Sequence, residues 1–212
     1  MKTFLKIVAF VSVLAILLMV LGFDLPFLGK PENAVKKIMT QESLMDILSS
    51  FEEDFSKIKE DDENYSMISV ELIRSPGIKS FFLDNVRTMS YNITNVSKNG
   101  DEATVTALIT HLDIYPVVEC AYDLLESKIL EYDSIPENDE ELKMSLLPLV
   151  QKSINEAVSK TKPTSTYTNV KFECKKDSVW PWELKELPDD FVEVLLMNID
   201  PAVEKAAGGH FN

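Results

Sequence analysis

His111 and Asp113 stand two residues apart in the run "TALITHLD". On an extended strand that spacing puts both side chains on one face. An imidazole beside a carboxylate is an acid–base pair suited to abstracting a proton from a small molecule. The plainer alternative is a hydrogen-bonded histidine at a strand end, followed by an aspartate that caps the next helix. Trp180 and Trp182 form a second candidate, in "SVWPWELKELPDDF". Strand alternation aims both indoles, with Leu184, to one side. Left open, they would stack sugars or grip a peptide; under a helix, they are core, and the apolar "FVEVLLM" that follows favours core. Pro181 has no N–H to give a ladder, so this strand is an edge or carries a bulge. An edge there offers backbone to a partner strand. The candidate ligand-binding residues are therefore Trp180, Trp182 and His111, and none is assigned as catalytic outside the enzyme alternative of His111 with Asp113.

Other chemistries find little support. The two cysteines, Cys120 and Cys174, and the two histidines, His111 and His210, lack metal-ligand spacing, which argues against zinc. One Cys120–Cys174 disulfide and two separate thiols both remain open. Ser56-Lys59 and Ser159-Lys162 have Ser-x-x-Lys spacing but no companion motif of an acyl-enzyme hydrolase. Six glycines include no phosphate loop, so no cofactor is expected. The net charge of −14 repels nucleic acid phosphates and anionic headgroups, so no nucleic acid partner is expected.

Elements must position these residues. Residues 1–23 carry Lys2 and Lys6, then an apolar run from Ile7 to Phe23, with no acidic residue before Asp24. That reads as a signal-anchor transmembrane helix, with the N-terminus cytoplasmic and the rest outside. A cleaved signal peptide is the second choice, because Val20-Leu21-Gly22 makes a poor cleavage site. A Pro/Gly linker follows over 24–32, an extracytoplasmic domain over 33–204, and a flexible tail over 205–212. Within the domain, Asn33 to Lys59 reads as one helix or, broken at Thr40, as two with Thr40 capping the second. "SPG" at 75–77 ends a short ambiguous segment. Thr88–Val96 and Glu102–Asp113 flank an Asn-Gly turn as a hairpin. The second of these strands has no fully polar face, so it is expected to be central and covered on both sides. Helices are expected from Pro116 to about Tyr132 and from Glu140 to Lys160, the latter bent at Pro148. Strands in "STYTNVKFECKK" and "DSVWPWELKEL" and a short helix from Pro188 complete the chain. Helices, hairpin, helices and hairpin, without a βαβ series, imply an α+β class: about four antiparallel strands packed against helices.

The pattern Tyr91-x-Ile93, "NGDEATVTALITHLD", and "W-x-L-x-x-LPDDF-x-x-x-L" with "NI" resembles uncharacterised extracytoplasmic domains of Gram-positive bacteria. Those domains follow lipoprotein signals or membrane anchors and have cystatin-like or NTF2-like folds. The resemblance covers roughly Val86 to Asp200 and lies in strand patterns rather than chemistry. The chain departs from it in lacking a lipoprotein cysteine. The resemblance brings no established activity; the anchor, the single α+β domain and the missing catalytic constellation instead point to a non-enzymatic binding or interaction module of the cell envelope, membrane-held by its N-terminal helix, with an envelope protein, peptide or small ligand as partner. The alternative is a small-molecule enzyme using a pocket between sheet and helices.

Overall fold

The structure is a computed structural model that describes residues 29–56, 67–130, 139–176 and 181–210. The expected membrane anchor and Trp180 lie outside the described residues. Among the described residues, no helix is long and apolar enough to cross a membrane.

The chain enters with α1 (Pro31–Ile38). Proline at its first turn suits the locked φ, and Lys36 and Lys37 complement its C-terminal dipole. Helix α2 (Gln41–Ser56) follows. Of the two readings of this region, the broken one holds: the Ser43 N–H donates to Thr40 Oγ1 at 3.3 Å. Helices α3 (Met67–Arg74) and α4 (Pro76–Thr88) meet at Ser75. The triplet Ser75-Pro76-Gly77 therefore ends one helix and starts another, with Pro76 as the first residue of α4.

The hairpin joins β1 (Ser90–Asn99) to β2 (Glu102–Asp113). Asn99 pairs with Glu102, so the central turn residues are Gly100 and Asp101. Gly100 has φ +63°, and glycine in the first central position is what a type II′ turn requires. Thr94 is an extra residue between the pairs Ile93–Ala107 and Asn95–Thr106. This bulge keeps Ile93 and Val96, three apart, on one face of the sheet; unbroken alternation would put one of them outward.

After α5 (Tyr115–Leu130) and α6 (Asp139–Lys160), β3 (Thr164–Lys175) pairs with β2 along its whole length. Helix α6 runs through Pro148. The carbonyl that loses its partner there belongs to exposed Met144, within reach of water. β4 (Glu183–Leu184) adds only two pairs, giving the antiparallel order β1-β2-β3-β4. The α+β expectation of four antiparallel strands with helices thus holds.

One expectation needs correction. β2 is central, but one face only is covered: Ala103, Val105, Ala107, Ile109 and His111 are buried, while Thr104, Thr106, Leu108 and Leu112 are half-exposed and Thr110 is exposed. Threonine favours the pleated backbone for its β-branch, so its presence does not require burial. Helices α1, α4 and α7 (Asp189–Leu195) touch the sheet, and α5 packs on α6 and α8 (Ile199–His210) further out. Phe172 and Phe191 meet edge to face, with centroids 5.4 Å apart.

The C-terminal part is also more ordered than its composition suggests. Helix α7 closes with the Asn198 N–H on Glu193 O at 2.8 Å and the Met197 N–H on Val194 O at 3.3 Å. That is a Schellman cap, and Met197 holds its left-handed position at φ 57°, where glycine is favoured. Methionine is kept there by complete burial and by its carbonyl, which accepts the Ile114 N–H at 3.0 Å. The tail expected at 205–212 is instead helical through His210, because Ala202, Val203 and Ala206 pack inward.

Candidate functional site

β2 brings His111 and Asp113 to one end of the sheet. His111 is 2% exposed. Its Nδ1 lies 2.8 Å from Leu112 O, and its Nε2 lies 2.9 Å from Thr168 Oγ1. A carbonyl only accepts, so Nδ1 carries the proton and Nε2 accepts from the threonine hydroxyl. Burial holds the imidazole below its ordinary pKa, against smaller upward pulls from Leu112 and Asp113. Both ring nitrogens are occupied. Asp113 accepts the Tyr115 N–H through Oδ1 at 2.8 Å and so caps α5.

Beside them stands a residue that the sequence analysis did not single out. Asn85 of α4 is fully buried. Its Nδ2 donates to Val194 O at 3.0 Å and Leu195 O at 3.1 Å, while its Oδ1 accepts the Leu112 N–H at 2.8 Å. One amide thus ties α4 to the end of α7 and to β2. The α4 pattern of Ile78, Phe81, Phe82 and Val86 at helical spacing was the available signal for its inward face.

The opposite end of the sheet holds Trp182. It is 6% exposed, under the edge where β4 pairs Leu184 with Cys174. Lys98 Nζ of β1 lies 5.8 Å from the indole centroid. Trp182 Nε1 is buried and meets no hydrogen-bond partner among the described residues. Helix α1 crosses this end, with Pro31 O 3.9 Å from Cys174 Sγ. Both cysteines are free, and burial pushes the Cys174 thiol up to about 11. Between α1 and β4 lies a groove of about 410 Å³. Ala34, Ile38, Pro181, Trp182 and Leu184 supply its apolar wall, and Lys30, Asn33, Lys37 and Glu183 its polar side. β4 is the outermost strand, so one edge of its backbone is unclaimed by the sheet. The α1 residues carry no sequence motif. They reach β4 only because the chain folds back across more than a hundred residues.

The groove thus sets an apolar wall against both cationic and anionic side chains. Among the described residues, no cluster of histidine, cysteine and carboxylate side chains could hold a metal ion.

Neither a protein-family model nor a curated protein matches the chain. Among solved structures, it is similar to a Bacillus subtilis protein, ycdA, assigned as a lipoprotein, at 18% identity and a TM-score of 0.38. The match covers 77% of this chain and 45% of the other, so the chain spans less than half the length of that structure.

Proposed function

We propose that this chain is a non-enzymatic, membrane-anchored module of the cell envelope that captures an extended peptide of a partner protein in the groove between α1 and β4. The observation that carries the reading is the groove itself: an apolar wall that includes Trp182, Lys30 and Lys37 outnumbering Glu183 among its charged lining residues, and an edge strand alongside. An added strand would gain main-chain hydrogen bonds from β4, an apolar side chain would fill the groove, and an acidic side chain would meet Lys30 and Lys37. His111 and Asp113, whose polar atoms serve the fold, take no part.

The anchor in this reading is the apolar run Ile7 to Phe23, with the domain on the outer side of the membrane. The one-sided sheet is taken as a variant of the cystatin- or NTF2-like class, on the strand patterns of residues 91–113 and 182–195. Both points have direct tests. A mature N-terminus near Phe23 would remove the anchor. Extraction of the intact chain by alkaline carbonate, without detergent, would do the same.

The binding test is a cross-linking experiment on the full chain in its own membranes, with a photoreactive residue at Asn33, which leaves both lysines in place. A single adduct is expected. The double substitution Lys30→Glu and Lys37→Glu, with the probe kept at Asn33, should abolish it, since both lysines act through charge. An adduct equally strong after charge reversal, or no adduct with the lysines in place, overturns the reading.

A further inference from the structure

The outer face of the sheet is left open by the helices. On β2 it shows Thr106, Leu108 and Thr110, half-exposed or exposed, with half-exposed Leu112 beyond them. Strand pairing extends these into rows across the sheet. Thr106 stands between Asn95 and Lys171, Leu108 between Asn92 and Asn169, and Thr110 between Ser90 and Tyr167. All six flanking residues are exposed, and Tyr167 is 71% exposed. The bulge at Thr94 contributes here too: it turns Asn92 and Asn95, three apart, to the same outer side.

Charge decides what can cover this face. The chain has 35 acidic and 21 basic residues, yet the three rows hold one charged side chain, Lys171, and no carboxylate. Copies of a chain with net charge −14 repel one another in most orientations, and least where carboxylates are missing. The centres of protein interfaces are likewise depleted in charge and enriched in tyrosine. An anionic partner would find a single lysine here, and a cationic partner no carboxylate. Threonine, serine and asparagine side chains both donate and accept, so an identical face can satisfy them.

We propose that this face binds the same face of a second copy of the chain, in a two-fold dimer of stacked sheets. The axis runs along the row Asn92–Leu108–Asn169, across the strands, so Leu108 meets its own counterpart. The rotation exchanges the two flanking rows. Lys171 of each copy then lies over Tyr167 of the other, a cation–π contact, and Thr106 faces Thr110. The 12 residues of β2 at about 3.3 Å each, with three strands about 4.8 Å apart, make a face of about 40 by 14 Å, or about 1,100 Å² for the two copies. That just exceeds the roughly 1,000 Å² of a specific interface, so a dimer of about micromolar affinity is expected. The inference is independent of the groove beside β4, with which this face shares no residue.

The test is cross-linking and sedimentation equilibrium of the full chain in detergent micelles. In a Cys120→Ser background, Leu108→Cys should be joined into a dimer by a short bismaleimide, since stacked sheets lie about 10 Å apart. Leu112→Cys should not, because four residues off the axis its two copies would stand about 27 Å apart along the strands. Lys171→Glu should weaken the dimer about tenfold or more without lowering thermal stability, since the side chain is exposed. Lys30→Glu, the same charge change away from this face, should leave the dimer unchanged. Equal weakening by both substitutions overturns the proposal, as does cross-linking of Leu112→Cys as readily as of Leu108→Cys. A chain that stays monomeric up to about 1 mM overturns it too. So does Leu108→Cys that resists maleimide in dilute monomer, which would mean that another part of the chain covers the face.

Discussion

The two ends of the sheet differ in how their polar atoms are satisfied. At the His111 end, an imidazole, a carboxylate and an amide are buried or half-buried, and each makes hydrogen bonds to backbone or to a threonine. At the Trp182 end, an indole N–H is buried without a partner among the described residues, beside an open groove and an edge strand. A buried polar group with its bonds complete holds the fold together; one left incomplete marks a place where something else can bind. Residue type alone would have ranked the two ends the other way, since histidine with aspartate suggests chemistry and tryptophan suggests core.

Removing Asn85 should break the contrast most severely. Asn85→Asp keeps the shape but sets a carboxylate against the carbonyls of Val194 and Leu195. We expect a loss of about 3 kcal/mol or more in chemical denaturation, because two acceptors lose their donor and a charge is buried. Asn85→Ala should cost less, about 2–3 kcal/mol, since it adds no charge.

His111→Gln should come next, costing about 1–3 kcal/mol at neutral pH. It also carries a pH signature. The folded-state pKa of His111 lies below its ordinary value, so the unfolded chain binds the proton more readily. Its contribution is complete above the ordinary value of 6.5 and is lost as pH falls through the folded-state value. Burial raises the carboxyls of Glu193 and Asp200, which act in the opposite sense. The difference between wild type and His111→Gln cancels them. That difference should shrink from pH 7 toward pH 5 in parallel denaturation series, and a constant difference would contradict the assignment of a neutral, buried ring.

Trp182→Phe should change stability by less than about 1 kcal/mol, because the lost ring area is offset by removal of an unpaired donor. A loss as large as that of Asn85→Ala would mean that the indole N–H is paired after all, and the two ends would no longer differ. The smallest effect belongs to the thiols. In the native chain a maleimide should modify half-buried Cys120 and leave Cys174, buried and raised to about 11, unlabelled until denaturation.

The hairpin was legible because its signals are local. β-branched runs and a glycine at the turn specify β1 and β2 within two dozen residues. The double helix start at Thr40 and the cap by Asp113 were also readable, since each rests on a side chain bonding its own neighbourhood. Helix α4 and its Asn85 were not, although Pro76 marked the start. An asparagine on a helix face looks solvated until three distant backbone groups close around it. The bulge at Thr94 escaped for a similar reason: an extra residue is defined only by the partner strand opposite. The groove residues of α1 and β4 share no motif and no proximity in the chain.

The hairpin and its strand pairing, acidic character and an apolar N-terminal run follow from the amino-acid sequence alone, because propensity, periodicity and charge act over a few residues. Which face of the sheet is covered, which polar atoms find partners and where cavities remain were decided only when helices from both ends of the domain met the sheet. Satisfaction of a buried polar atom depends on atoms that the sequence places far away, and that dependence gave both ring nitrogens of His111 partners and left the Trp182 indole N–H without one among the described residues.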